Sequence, residues 1–291
     1  MGGRDMVTDR KEKLYLGVVY AILTLCAVSV VFPLLYVVSV SLTPYAEVLR
    51  NGGFAIFPRS IDFSTYRTFL EDSTIPRAYE ITFFITIVGT IVNLIVTTLM
   101  AYPLSKKQMP LRNVILMLVV FTMLFSGGTI PTYLIVKETG LINSVWAMVI
   151  PGTVATFYLL IMKTFFENMP ESLDEAAKID GASELRILWQ IVLPLSMPIM
   201  ATVGLFYAVG HWNEFFAAII YISDNTKHPL QVILRGMLNQ SRLPELDFER
   251  VVPTESLQMA AVILSTLPIL VVYPFIQKYF TQGALLGSIK G

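Results

Sequence analysis

The sequence predicts an all-α membrane protein of six transmembrane helices, with a cytoplasmic loop between the fourth and the fifth. Three observations carry that prediction. Hydrophobic residues make up 55% of the chain and charged residues 14%, where soluble domains average about 45–50% and about 25%. The mean hydropathy is +0.66. Six apolar stretches, roughly 14–40, 79–102, 113–136, 145–166, 193–222 and 257–281, each reach the about 20 residues that a helix needs to cross a bilayer.

Residues 1–13 form a basic N-terminal segment, and Arg10, Lys11 and Lys13 precede the first stretch. A secretory signal has an apolar core of only about 7–15 residues, so this longer run reads as a retained span. Cys26 lies within it and is the sole cysteine, so it has no partner for an intrachain disulfide or a thiolate metal site and reads as packing. The remainder, 14–291, reads as a single transmembrane domain without internal repeats or low-complexity tracts.

Connections set the orientation. The N-terminal segment carries Arg4, Arg10, Lys11 and Lys13, and the short 103–112 turn carries Lys106, Lys107 and Arg112. The short turn 137–144, on the opposite side, has only Lys137. The bias of short connections toward Lys and Arg on the inside places both termini in the cytoplasm and the segment 167–192 with them. Two long loops, 41–78 and 223–256, fall outside, and loops of that length more often bind something. Both are rich in turn residues: Asn51, Gly52, Gly53 and Pro58 in one, Asp224, Asn225, Pro229, Pro244 and Pro253 in the other. Pro151, Pro194, Pro198 and Pro268 lie in or at the ends of spans, and they predict kinks rather than breaks. Lys+Arg and Asp+Glu both number 21, and without a basic run interleaved with aromatics nothing points to nucleic acid.

The cytoplasmic segment is the unusual feature. In "PESLDEAAKIDGAS", Ser172 and Glu175 have the spacing of a capping box that opens a helix, with Leu173, Ala176 and Ala177 on one face. Gly181 follows Asp180 and supplies the stop, because glycine takes the left-handed conformation at a helix end freely. A second helix runs from about Ser183, with Leu185, Leu188, Trp189 and Val192 at helical spacing, and Pro194 marks the start of the fifth span. Such an element either lies on the membrane surface or docks on a soluble partner. Its first half has too few bulky apolar residues to anchor in lipid, while small alanines and a glycine permit close approach, which favours docking.

Glu175-Ala176-Ala177, three residues, Gly181, nine residues, Ile191, Val192, Leu193 and Pro194 match at every specified position the EAA loop of ATP-binding-cassette importer permeases. The chain resembles the six-span carbohydrate-uptake permeases related to the smaller membrane subunit of the maltose importer, with "AYPLSKK" (101–107) and "WNEFF" (212–216) in the expected places. "LFSGGTIPTYLIVKETGL" (124–141) and "FYAVGHWNEFFAAIIY" (206–221) are similar to the branch that serves oligosaccharides and polysaccharide fragments, including uronate-rich alginate or pectin pieces.

The resemblance implies a non-catalytic subunit whose segment is a coupling helix seated in a cleft of a separate ATPase. Glu175 would make the polar contact, Ala176 and Ala177 the close seating, Asp180 and Gly181 the bend, and Ile191, Leu193 and Pro194 the tie to the fifth span. It implies as partners a second homologous permease subunit, two ATPases carrying ATP and Mg, an extracytoplasmic solute-binding protein facing loop 223–256, a carbohydrate substrate and the lipid of the bacterial inner membrane. The tail "LLGSIKG" (285–291) would lie toward the ATPase. This chain has no G-x-x-x-x-G-K-[ST] phosphate-binding loop and no Gly-Lys dipeptide. ATP hydrolysis therefore resides on a partner, and no cofactor is expected on this chain.

Tyr207, His211 and Glu214 at i, i+4 and i+7 in the fifth span, with Asn93 mid-span in the second, are the candidate substrate pathway. Ionisable groups at membrane depth cost about 2.5–3.5 kcal/mol and normally face protein or water. The same residues also suit helix packing. A different class of function, an ion-coupled secondary transporter relaying protons through His211 and Glu214, stays open here. Such carriers often have broken helices and repeated halves, and neither is evident in this sequence. The histidines His211 and His228 lack the company of a metal site.

Overall fold

The computed structural model describes residues 10–52, 58, 60–71, 73–240 and 255–288. Among them every regular element is a helix. Arg4, Gly53 of the first long loop, Pro244 and Pro253 of the second, and residues 289–291 of the tail lie outside the described residues. The chain divides into two compact units, one within Met1–Glu71 and Met237–Thr266, the other within Asp72–Gly236 and Leu267–Gly291.

In the first unit, α1 (Arg10–Ser41) is an apolar helix exposed along most of its length. Its last turn joins α2 (Tyr45–Arg50) and α3 (Ser64–Glu71). Val40 and Val48 are fully buried there with Tyr36 and Met259 packed against them. The Tyr66 hydroxyl donates to Ser41 Oγ at 2.7 Å, and Ser256 Oγ donates to the Thr43 carbonyl at 3.1 Å.

The second unit is organised around α4 (Thr74–Ser105). It is followed by α5 (Arg112–Leu124), α6 (Thr129–Glu138), two short 3₁₀ turns (Val145–Met148 and Ile150–Gly152) and α7 (Thr156–Glu167). Then come α8 (Glu171–Ile179), α9 (Glu184–Ile187), a π-helical turn (Leu188–Val192), α10 (Leu193–Leu195), α11 (Met197–Trp212) and α12 (Phe216–Tyr221). Helices α13 (Leu230–Gln240) and α14 (Glu255–Ser288) complete the order. The core lies where α4 packs against α11 and α7, around Ala101, Leu159, Met162, Ile187 and Val203, all fully buried.

Among the described residues three helices, within Lys13–Ser41, Thr74–Ser105 and Glu255–Val272, are long and apolar enough to cross a membrane, or up to six if each of three bent pairs is one span. The bends correct two expectations: the sequence gives no clear sign of broken helices, and its prolines predict kinks. Between α5 and α6 the axis turns by 116°, because Gly128 at φ 86° takes a conformation that a continuing helix excludes. Between Glu184–Leu195 and Met197–Trp212 it turns by 82°. Pro198 there has no N–H to donate, and its ring clashes with the carbonyl four residues back. The 3₁₀ turn containing Pro151 precedes a 50° bend, while Pro268 sits inside unbroken α14.

Candidate functional site

The segment between α7 and α11 folds as two short helices joined by a glycine bend. Helix α8 starts one residue before the predicted capping box, with Pro170 at the N-cap and no side-chain cap. The box does not form. The fixed φ of Pro170 (−56°) makes the turn, which leaves Ser172 inside the first turn of the helix. The C-terminal end follows the sequence closely. Gly181 sits at φ 75°, its N–H donates to the Lys178 carbonyl at 3.0 Å, and the Ala182 N–H donates to the Ala177 carbonyl at 2.9 Å. These two bonds are a Schellman cap, which satisfies carbonyls that the helix end leaves open. Ser183 then caps α9, its hydroxyl accepting from the Arg186 N–H.

Beyond α9 the buried face differs from the predicted stripe. Leu188 and Val192 are buried, as is Ile187, but Leu185 and Trp189 are 66% and 64% exposed. The cause is the π-helical turn at Leu188–Val192. Its wider winding shifts the register by which a 3.6-residue period assigns faces, and such turns recur at functional sites.

The candidate coupling residues are divided by their surroundings. Ala177 packs into the chain's own core, with Ile191 and Leu193 partly buried against the same cluster. Glu175, Ala176, Asp180, Gly181 and Pro194 face outward. Among the described residues neither Glu175 nor Asp180 has an ion-pair partner, whereas Glu171, Asp174 and Glu184 are engaged. Asp174 pairs with Lys106, Glu171 with Lys107 at 3.1 Å, and Glu184 with Lys178 at 2.8 Å. Glu184 also accepts from the Tyr102 hydroxyl at 2.9 Å. The Glu184 carboxylate holds the Lys178 ammonium above the usual lysine range. Glu167, just before the segment, pairs with Arg112 at 2.6 Å and with Lys163.

The three basic residues of the 103–112 turn thus all meet acids at or beside the segment, so turn and segment share one side of the unit. Sequence reasoning used those bases only as an orientation signal. The complementary charge of two connections is the sign that would have paired them. At the other end, Asn143 adopts φ 62° and accepts at Oδ1 from the Ser223 and Asp224 N–H groups at 3.2 and 3.0 Å. Lys227 donates to the Asn143 carbonyl at 3.0 Å. The 137–144 turn and the start of the 223–256 loop therefore meet.

Three of the four candidate pathway residues come together between α4 and α11. Asn93 Nδ2 lies 3.1 Å from His211 Nε2, and both side chains are buried. The Tyr207 hydroxyl lies 2.8 Å from Thr97 Oγ1 and accepts from the Ala155 N–H at 3.1 Å. Glu214 stands apart from them. Its Oε1 accepts from the Ala217 N–H at 2.9 Å and so caps the start of α12. Each polar atom named here has a packing partner, so the arrangement ties α4, α7 and α11 together.

Residues 77–285 match the family model described as binding-protein-dependent transport system inner membrane component. Protein LplC of Bacillus subtilis (strain 168) is 45% identical over 98% of this chain and 95% of its own length. The polygalacturonan/rhamnogalacturonan transport system permease protein YtcP of the same organism is 42% identical over 97% of this chain and 100% of its own. Among solved structures, a bacterial ABC transporter involved in the import of the acidic polysaccharide alginate contains a chain that matches with a TM-score of 0.87. That chain is 31% identical, and the match covers 94% of this chain and 98% of that one.

Proposed function

The chain belongs to the family of binding-protein-dependent transport system inner membrane components, the permease subunits of ATP-binding-cassette importers, and from that premise we propose how it works. It is one membrane half of an ATP-driven sugar importer. It pairs with a second, homologous permease subunit, rests on two ATPases that carry ATP and Mg, and receives solute from an extracytoplasmic binding protein.

Each bent pair makes one crossing, which gives six. Both termini, the 103–112 turn and the 167–192 segment lie in the cytoplasm of the bacterial cell. The pairing of Lys106 and Lys107 with Asp174 and Glu171 supports a shared side for turn and segment, and the Asn143 contacts support the opposite side for the outer connections. The solute is an oligosaccharide. An acidic one is supported by what two similar proteins are named for, a polygalacturonan/rhamnogalacturonan permease and an alginate importer.

One observation carries the coupling role: Glu175, Ala176 and Asp180 are exposed and uncommitted among the described residues, while Glu171, Asp174 and Glu184 around them are fastened to the chain. Glu175, Ala176, Asp180 and the Gly181 bend meet the ATPase, while Ala177, Ile191 and Leu193 anchor the element to the bundle and Pro194 links it along the chain to the fifth span. Asn93, Tyr207, His211 and Glu214 serve packing and capping. That assignment also disfavours a proton relay, because the Glu214 carboxylate is held by a backbone N–H and the His211 ring by Asn93.

Co-expression with the candidate partner subunits tests the proposal. A nucleotide-hydrolysing subunit should co-purify, and its hydrolysis should rise when binding protein and oligosaccharide are added. Glu214→Gln should leave ATP-driven uptake intact. Uptake that follows a proton gradient without ATP, and that this substitution abolishes, would replace the importer with a secondary carrier.

A further inference from the structure

Tyr102 and Lys106 lie at the end of α4, beneath the two-helix segment. Lys106 pairs with Asp174 of α8, and its Nζ sits 4.6 Å over the Tyr102 ring. The Tyr102 hydroxyl donates to Glu184 of α9. Both helices of the segment, one on each side of the Gly181 bend, are therefore fastened to the same turn of α4. Arg112 stiffens that turn from below, donating to the Leu104 carbonyl at 2.8 Å and pairing with Glu167.

The strengths of these contacts differ. The Lys107–Glu171 side chains are 70% and 75% exposed, and such pairs contribute about 0–1 kcal/mol. Lys106 and Asp174 are 28% and 25% exposed, and the Tyr102 ring is buried, so solvent screens these contacts far less. A cleft of about 710 Å³ lies between α4 and the segment, lined by Leu99, Tyr102, Lys106, Glu184, Leu188 and Ile191 among others. Tyr102 and Lys106 bridge the gap beside the apolar core that holds Ala177, Leu188 and Val192 with Ala101 and Leu104 of α4. The segment also reaches the bundle through its own chain, at residues 168–170 to α7 and at Leu193 and Pro194 to α11, and through Ala177, Ile187, Leu188 and Val192, which are buried in the shared core.

We propose that Tyr102 and Lys106 are positioning residues for transport. Through Glu184 and Asp174 they transmit displacement of the coupling segment directly to α4, which carries the packing against α11 and α7. The segment then moves two helices at once. Without the side-chain link α4 follows only through the shared apolar core, and the bend of 82° behind Leu195 absorbs much of the motion passed to α11. This inference rests on the reading that the segment docks on an ATPase.

The test uses the full assembly in proteoliposomes with binding protein and oligosaccharide, and it reads ATPase retention, stimulated hydrolysis and solute imported per ATP. Lys106→Glu should keep the ATPase bound and basal hydrolysis intact while stimulation and import per ATP fall about fivefold or more, the scale of a coupling energy between sites. Lys106→Gln and Tyr102→Phe should move the same way but less, and Lys107→Glu should match wild type. Combining Lys106→Glu with Asp174→Lys should restore most of the loss. Wild-type coupling in Lys106→Glu, or a loss that the swap leaves unrepaired, overturns the inference. ATPase shed by Lys106→Glu alone makes the residue a docking contact and overturns it too. If the wild-type chain itself fails to retain an ATPase, the docking reading falls, and the inference with it.

Discussion

Asn93 on α4 and His211 on α11 meet at 3.1 Å inside the core, where a Cβ on Gly89 would lie 2.7 Å from the same ring nitrogen. The missing side chain at Gly89 is what lets the imidazole reach α4. Gly89→Ala should therefore destabilise the chain by about 1–3 kcal/mol through overpacking. Asn93→Ala should cost about 1–3 kcal/mol by leaving the ring unpaired. Thermal unfolding of the detergent-purified permease measures both. The Gly89→Ala cost should shrink in a His211→Ala background, because residues in contact are not additive.

Stability and docking should separate within the coupling segment. Gly181→Ala places a Cβ on a backbone at φ 75° and should cost about 1–2 kcal/mol, visible as faster proteolysis between α8 and α9. Glu175→Ala removes a carboxylate that no other described residue pairs with, so the melting temperature should stay unchanged while ATPase retention falls. A drop in melting temperature for Glu175→Ala would place the carboxylate in the fold instead.

Arg112 and Lys163 share Glu167, with side chains 16%, 13% and 25% exposed respectively. Removing one member of a fully buried pair costs about 3–5 kcal/mol. For this partly exposed group Glu167→Ala should cost about 1–3 kcal/mol, read by the same unfolding assay, since it strands two cations. Arg112→Ala should cost less, because Lys163 still neutralises the carboxylate.

The outer connections carry a pH prediction. Thr226, through its hydroxyl and its N–H, holds the Asp224 carboxyl below its ordinary value of 3.8. A carboxyl with a lowered pKa contributes stability above its unfolded value and loses it as pH falls through the folded one. Hydrogen exchange in residues 223–228 should thus be protected equally at pH 7 and pH 5, once corrected for intrinsic rates, and protection should fade only below about 4. Asn143→Gly should loosen this loop at every pH, since it keeps the left-handed backbone but loses both acceptor bonds.

Much of this architecture is legible in the chain. Every predicted apolar stretch meets helix in the structure, because about 20 apolar residues have few other ways to satisfy their backbone. The Gly181 bend is equally readable, since a glycine after an alanine-rich helical turn has one common use. What the sequence hides depends on geometry that periodicity does not encode. The π-turn at Leu188–Val192 exposes Leu185 and Trp189, and only the three-dimensional winding reveals it. Ser172 loses its capping role to Pro170, two residues earlier in the chain. Tyr102 and Lys106 find Glu184 and Asp174 across 82 and 68 positions of sequence. Nothing local announces those pairings, although the charges on both connections are complementary.

The central claim is that the exposed face of α8 is gripped by a nucleotide-hydrolysing subunit. A photo-crosslinking amino acid at Ala176 addresses it within intact membranes. The account predicts one dominant adduct, to the ATPase, with a yield that changes when ATP is added. Adducts to lipid alone, or none to any ATP-hydrolysing protein, would contradict it.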